Sequence, residues 1–265
     1  MSNASSKTGP IEKPAEPSAK ANIPWNPLLA VVFVIVTYFA AQILASVIIG
    51  IYPMLRGWDK TQTLDWTNSS IIAQFSYMLL ASALVVAAVY QFMKLYGRSW
   101  KAIGFRRPRW TDLGMGVAIV PLYYLSYFVI ITVAGKLAPS LNVNQAQQLG
   151  FSPVGPGQLI LTGIALVILP PLMEETLMRG FLYTSLKKGL PQLAAVLVTS
   201  AIFASAHLQA GSGAPLLWVA AIDTFVLSLF LIWLREKTGS LWASMTLHAL
   251  KNSVAFLSLF IFHMR

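Results

Sequence analysis

Two adjacent carboxylates, Glu174 and Glu175, follow an apolar run over residues 159–169 and precede Arg179. Downstream lie His207, then His248 with Asn252 four residues later. A carboxylate base, imidazole rings and an amide donor are the groups that addition of water to an acyl carbon requires. Their setting gives them weight. The chain has nine acidic residues and three histidines; Glu174, Glu175, Asp223, His207 and His248 all fall within apolar stretches. A carboxylate at the bilayer centre costs ~2.5–3.5 kcal/mol on insertion scales, so such groups face the protein interior and mark function.

Helical spacing sorts these residues. Glu175 and Arg179 are four apart and lie on one face, which suits an ion pair. Glu174 is turned about 100° away and lacks a local cation, which leaves it free to act as a base. Phe203 and His207 share a face, as do His248 and Asn252. His248 and Asn252 are candidate donors to a developing oxyanion. Lys251 points elsewhere and is expected to pair with Asp223. Each motif alone also fits a helix-end charge pair or an interhelical polar contact.

Composition supplies the frame. The 265 residues are 56% hydrophobic and 11% charged, against roughly 25% charged in soluble domains, and mean hydropathy is +0.66. This composition predicts an all-α, polytopic membrane helix bundle. The net charge of +10 invites a nucleic-acid reading. The lysines and arginines sit in the gaps between apolar runs, however, which is a topology signal and argues against nucleic acid. With no cysteine, thiolate catalysis and cysteine-ligated zinc are excluded.

Seven stretches are long enough to span, at ~20 apolar residues each: 25–55, 71–96, 111–137, 157–179, 191–208, 214–235 and 241–263. About seven transmembrane helices are therefore expected, with eight allowed. A bend is expected at Pro170-Pro171. Basic residues crowd the gaps after the second, fourth and sixth stretches, which places those gaps and the N-terminus in the cytoplasm. Three regions follow: a disordered N-terminal tail over 1–24, N-terminal transmembrane helices over 25–137, and a catalytic helical core over 155–263. The tail is too polar to offset its ordering entropy. No cleaved signal peptide is expected, the first apolar run being too long for one. Trp25, Trp58, Trp66, Trp100, Trp110 and Trp242 are expected in interfacial belts.

Taken together, Glu174-Glu175-x-x-x-Arg179, Phe203-x-x-x-His207 and His248-x-x-x-Asn252, in this order and each in its own helix, resemble the CPBP family. This family comprises CAAX proteases and bacteriocin-processing or immunity proteins, also called ABI-domain proteins. The phrase Thr238-Gly239-Ser240-Leu241-Trp242-Ala243-Ser244 is also typical of bacterial members, and Gly104-Phe105-Arg106-Arg107-Pro108 looks like the link that often precedes the domain. The resemblance covers about 159–260. It implies a glutamate-type intramembrane endopeptidase, like the type II CAAX prenyl protease, in a multi-pass bacterial cell (inner) membrane protein.

Carried onto this sequence, the resemblance makes Glu174, with His207, the activator of a water. His248 and Asn252 stabilise the oxyanion, and Glu175, Arg179 and Phe203 support the site. It implies no cofactor and no metal, and a membrane-embedded or lipidated peptide, CAAX-like among others, as substrate within the lipid bilayer. Two alternatives stay open. One is a non-catalytic immunity or membrane-peptide-binding protein using the same cavity. The other is a zinc-dependent hydrolase in which the two histidines and a carboxylate ligate the metal. One tension stands: Glu174 near the cytoplasmic end of the fourth stretch and His207 at the outer end of the fifth do not meet.

Overall fold

The computed structural model describes residues 23–145, 150–209 and 215–263; among them the only regular secondary structure is helical. The expected tail over 1–24 lies outside the described residues except for Ile23 and Pro24. Eight helices account for the fold. They are α1 (Pro27–Leu55), α2 (Lys60–Ser69), α3 (Ile71–Leu95), α4 (Trp110–Leu137), α5 (Pro156–Gly189), α6 (Gln192–Ser205), α7 (Trp218–Thr238) and α8 (Leu241–Phe256). A π-helical turn, Leu257–Ile261, prolongs α8.

Five of these, α1, α3, α4, α5 and α7, are long and apolar enough to cross a membrane. The expected seven add α6 and α8, and neither has that length as an α-helix. At ~1.5 Å per residue, the 14 residues of α6 extend about 21 Å, short of a ~30 Å hydrocarbon core. Outward faces such as Val32, Val36, Phe39 and Ile43 of α1 are exposed, as lipid-facing side chains are.

The largest boundary difference is in α5. The helix runs to Gly189, ten residues beyond Arg179, where the fourth stretch was expected to end. Arg179 is no helix-end charge; it is fully buried. Nor does Pro170-Pro171 break the helix. Two π-helical segments, Ile164–Ile168 and Glu175–Leu182, flank the α-helical Leu169–Glu174, and the helix continues through both prolines. The extra length removes the tension over His207. Glu174 lies fifteen residues before Gly189, and after a tight turn Ser205 lies thirteen residues beyond Gln192. Chain reversal therefore brings the end of α6 level with the middle of α5.

Two apolar clusters frame the site. The first joins α1, α3, α5 and α6 around Phe181, Met93, Val34 and Phe203. Trp25, expected at an interface, belongs to it instead: it is 2% exposed, stacks on Phe181 at 5.3 Å and donates from Nε1 to Ser185 Oγ at 2.8 Å. A buried indole needs such an acceptor. The second cluster joins α4, α7 and α8 through Tyr123, Leu227, Leu231, Ala243 and Leu247. At Gly116 a Cβ would stand 2.7 Å from Thr246 Cβ and 2.8 Å from the Ala243 carbonyl oxygen, so glycine lets α4 approach α8 closely. The Gly104–Pro108 link closes the structure. Gly104, at φ +95°, accepts from Leu241 N at 3.1 Å, and Trp242 Nε1 donates to the Arg106 carbonyl at 2.7 Å.

Candidate active site

The seven residues singled out by spacing converge. Glu174, His207, His248 and Asn252 line one cavity of about 330 Å³, with Leu166 and Pro170 from α5, Thr224 and Leu227 from α7, and Lys251, Ala255, Phe256 and Leu259 from the α8 end. Glu175, Arg179 and Phe203 lie behind this wall, each 0–1% exposed.

The buried layer is a chain of contacts. Glu175 Oε1 accepts from Arg179 Nη1 at 3.0 Å and from His248 Nδ1 at 2.9 Å. The Arg179 guanidinium carbon lies 4.1 Å from the centroid of the Phe203 ring, a cation–π contact. Phe203 also meets the edges of His207 and His248, at 4.9 and 6.2 Å between centroids. Three elements, α5, the α6 end and α8, are thereby tied through one carboxylate and one aromatic ring. The Glu175–Arg179 pair was legible from spacing. The bond from Glu175 to His248, 73 residues away, and the stacking on Phe203 were not, because both depend on how helices pack.

Hydrogen-bond logic fixes the histidines. A carboxylate or carbonyl oxygen only accepts, so the ring nitrogen facing it carries the hydrogen. His207 Nδ1 faces the Phe203 carbonyl at 2.9 Å, which leaves Nε2 as the acceptor of the neutral ring. His248 Nδ1 faces Glu175, and Nε2 lies 3.8 Å from Glu174 Oε2. From Nε2 this ring donates only as the imidazolium. In that form two carboxylates, Glu174 and Glu175, are balanced by Arg179 and His248. Glu174 Oε2 is buried and, among the described residues, has no hydrogen-bond partner. This lone pair is therefore free to take a proton.

Asn252 has a second task that spacing did not reveal. Leu166 O would accept from residue 170 in an α-helix or from residue 171 in a π-helix, and both are proline. Asn252 Nδ2 donates to it at 3.0 Å. The donor must be nitrogen, so the amide orientation is set, and its second N–H remains for the cavity. The Pro-Pro pair was the sequence signal that an outside donor was needed.

As for a metal, no group of three His, Asp or Glu side chains among the described residues converges as a ligand set. His248 Nδ1 and Glu175 Oε1 are already engaged with each other.

Residues 156–254 match the model of one protein family, described as type II CAAX prenyl endopeptidase, Rce1-like. This segment is a CAAX protease domain. It spans α5, α6, α7 and most of α8, and so contains all seven residues above. No curated protein and no solved structure matches the chain. The matched segment, set among apolar helices of spanning length, supports a multi-pass membrane protein that carries a domain similar to an intramembrane protease family, one that implies a membrane-associated peptide as substrate.

Proposed function

We propose that the chain is a glutamic endopeptidase that cleaves a membrane-associated, CAAX-like or lipidated peptide by direct attack of water. The observation that carries this reading is the convergence of Glu174, whose Oε2 is unpartnered among the described residues, with His207, His248 and Asn252 on the wall of one cavity. Glu174 takes the proton of the attacking water as its oxygen adds to the scissile carbonyl carbon. Nε2 of neutral His207 accepts a hydrogen bond from the water's second O–H, which stays on the oxygen, and so orients the water. The tetrahedral oxyanion receives hydrogen bonds from Nε2–H of the His248 imidazolium and from the second N–H of Asn252. Such donors in a dry site are worth about 3–4 kcal/mol each. The proton held by Glu174 then passes to the leaving amine, and the acyl carbon keeps the water oxygen. No covalent intermediate forms.

Glu175, Arg179 and Phe203 are positioning residues in this scheme. Glu175 orients His248, and Arg179 balances Glu175. The N-terminal helices over 25–137 supply the supporting wall, and the 155–263 core supplies the chemistry. The basic gaps support a cytoplasmic N-terminus, and the resemblance supports a bacterial inner membrane.

The test uses the purified protein in nanodiscs with a quenched peptide library that includes farnesylated CAAX peptides, in water enriched in ¹⁸O. One ¹⁸O in each new carboxyl group, with no trapped acyl-protein, is expected. Binding of peptides without any cleavage would instead favour a peptide-binding or immunity protein.

A further inference from the structure

The cavity holds one charged side chain that water activation does not use. Lys251 lines it beside Asn252, one position earlier on α8. Lys251 Nζ lies 3.0 Å from Asp223 Oδ2 on α7, and Asp223 Oδ1 accepts from the hydroxyl of Tyr123 on α4. Three helices therefore combine to hold one ammonium at the cavity wall. Tyr123 is fully buried, and Asp223 and Lys251 are 16% and 22% exposed at their side chains. A partly buried ion pair contributes little over apolar side chains of the same size, because desolvation cancels most of the attraction. Stability therefore gives no reason to keep it here. An ammonium carries three donors, and among the described residues Asp223 is the one partner of Lys251.

We propose that Lys251, set in place by Asp223 and Tyr123, is a specificity-determining residue that binds a carboxylate of the peptide substrate. This rests on the peptidase reading above. The remaining walls beyond Asn252, at Ala255, Phe256 and Leu259, are apolar, so the carboxylate terminates or interrupts an apolar segment. A round cavity of about 330 Å³ is ~9 Å across, which is two to three extended residues at ~3.3 Å each. A carboxylate and a cleaved bond that share this cavity are therefore at most two to three residues apart. The carboxylate is either a free C-terminus or an acidic side chain within that distance.

The test separates these sources and is independent of turnover. Four peptides that share the cleaved sequence carry a free C-terminal acid, a C-terminal amide, or an amide with Glu or Gln at the third position past the cleaved bond. Their binding is measured on Glu174→Gln protein in nanodiscs, alone and combined with Lys251→Met. Because Lys251→Met strands Asp223, the combination with both Lys251→Met and Asp223→Asn is measured as well. With Lys251 present, the acid binds about 10- to 100-fold tighter than the amide, or the Glu peptide than the Gln peptide, as a charged hydrogen bond implies. Both Lys251 variants bring that ratio to within twofold. Equal binding of all four peptides with Lys251 present, or a ratio that survives Lys251→Met, overturns the proposal. Cleavage by the unmutated protein is scored separately. Cleavage without discrimination removes Lys251 and leaves the peptidase; discrimination without cleavage does the reverse.

Discussion

Asn252 Nδ2 donates to the carbonyl oxygen of Leu166 across 3.0 Å, from α8 to a stretch of α5 where proline at both 170 and 171 leaves that oxygen without a backbone donor. One side chain thus closes a gap in the helix that carries Glu174 and is held in the orientation that turns its other N–H to the cavity. Asn252→Ala is expected to lose both: ~10²–10³-fold in kcat for a missing oxyanion donor, and about 1–3 kcal/mol of stability for the orphaned carbonyl. Pro170→Ala restores an N–H within reach of Leu166 O. In a double-mutant cycle by thermal unfolding in detergent, Pro170→Ala should recover about 1 kcal/mol more in the Asn252→Ala background than alone. Activity should stay low in the double variant. Strict additivity would show that the carbonyl does not depend on Asn252.

Arg179 is expected to be a stability residue. Removing one partner of a fully buried pair strands a charge, at about 3–5 kcal/mol. Arg179→Met should therefore lower the unfolding midpoint sharply. Glu175→Gln added to it should recover much of the loss, because the stranded charge goes. Arg179→Lys should recover little, since an ammonium does not lie over Phe203 as the planar guanidinium does. An Arg179→Met protein as stable as the parent would contradict the pairing.

His248 must carry hydrogen on both nitrogens if it is to donate to an oxyanion while bonded to Glu175. Nitrogen-15 NMR of ring-labelled protein in nanodiscs, assigned with His248→Gln, should show both nitrogens protonated at the pH of activity. A resonance with hydrogen on Nδ1 alone would remove His248 as oxyanion donor. It would recast the ring as a base oriented by Glu175.

Chelation is the fourth check. A site built on Glu174 should cleave at an unchanged rate after exhaustive treatment with a zinc chelator. Loss of activity, restored by added zinc, would mean that the carboxylate and histidines rearrange around a metal.

Much of this arrangement was legible as residue spacing. Helices repeat every 3.6 residues, so Glu175 with Arg179, Phe203 with His207 and His248 with Asn252 declare shared faces without any knowledge of packing. Helix ends were harder. Arg179 was read as a charge at a membrane boundary because a charged side chain in an apolar run suggests one. It is in fact paired within the bundle with Glu175 and stacked on Phe203, and α5 continues. The indole of Trp25 likewise finds its acceptor, Ser185, inside the core. The contacts of Glu175 with His248 and of Asn252 with Leu166 join residues 73 and 86 positions apart, and no local pattern encodes them. The proline pair alone hinted at the second, because it removes a donor that something else must replace.

The central claim is that Glu174 takes a proton from the attacking water. The most direct measurement is single-turnover cleavage of one substrate peptide by unmutated and Glu174→Gln protein in the same nanodiscs, with peptide affinity measured alongside. Glutamine keeps the size of Glu174 and cannot act as a base. The account predicts a fall in rate of about 10³-fold or more, at the upper part of the range for general bases, with Kd unchanged within about threefold. Cleavage by Glu174→Gln within tenfold of the unmutated rate would contradict it.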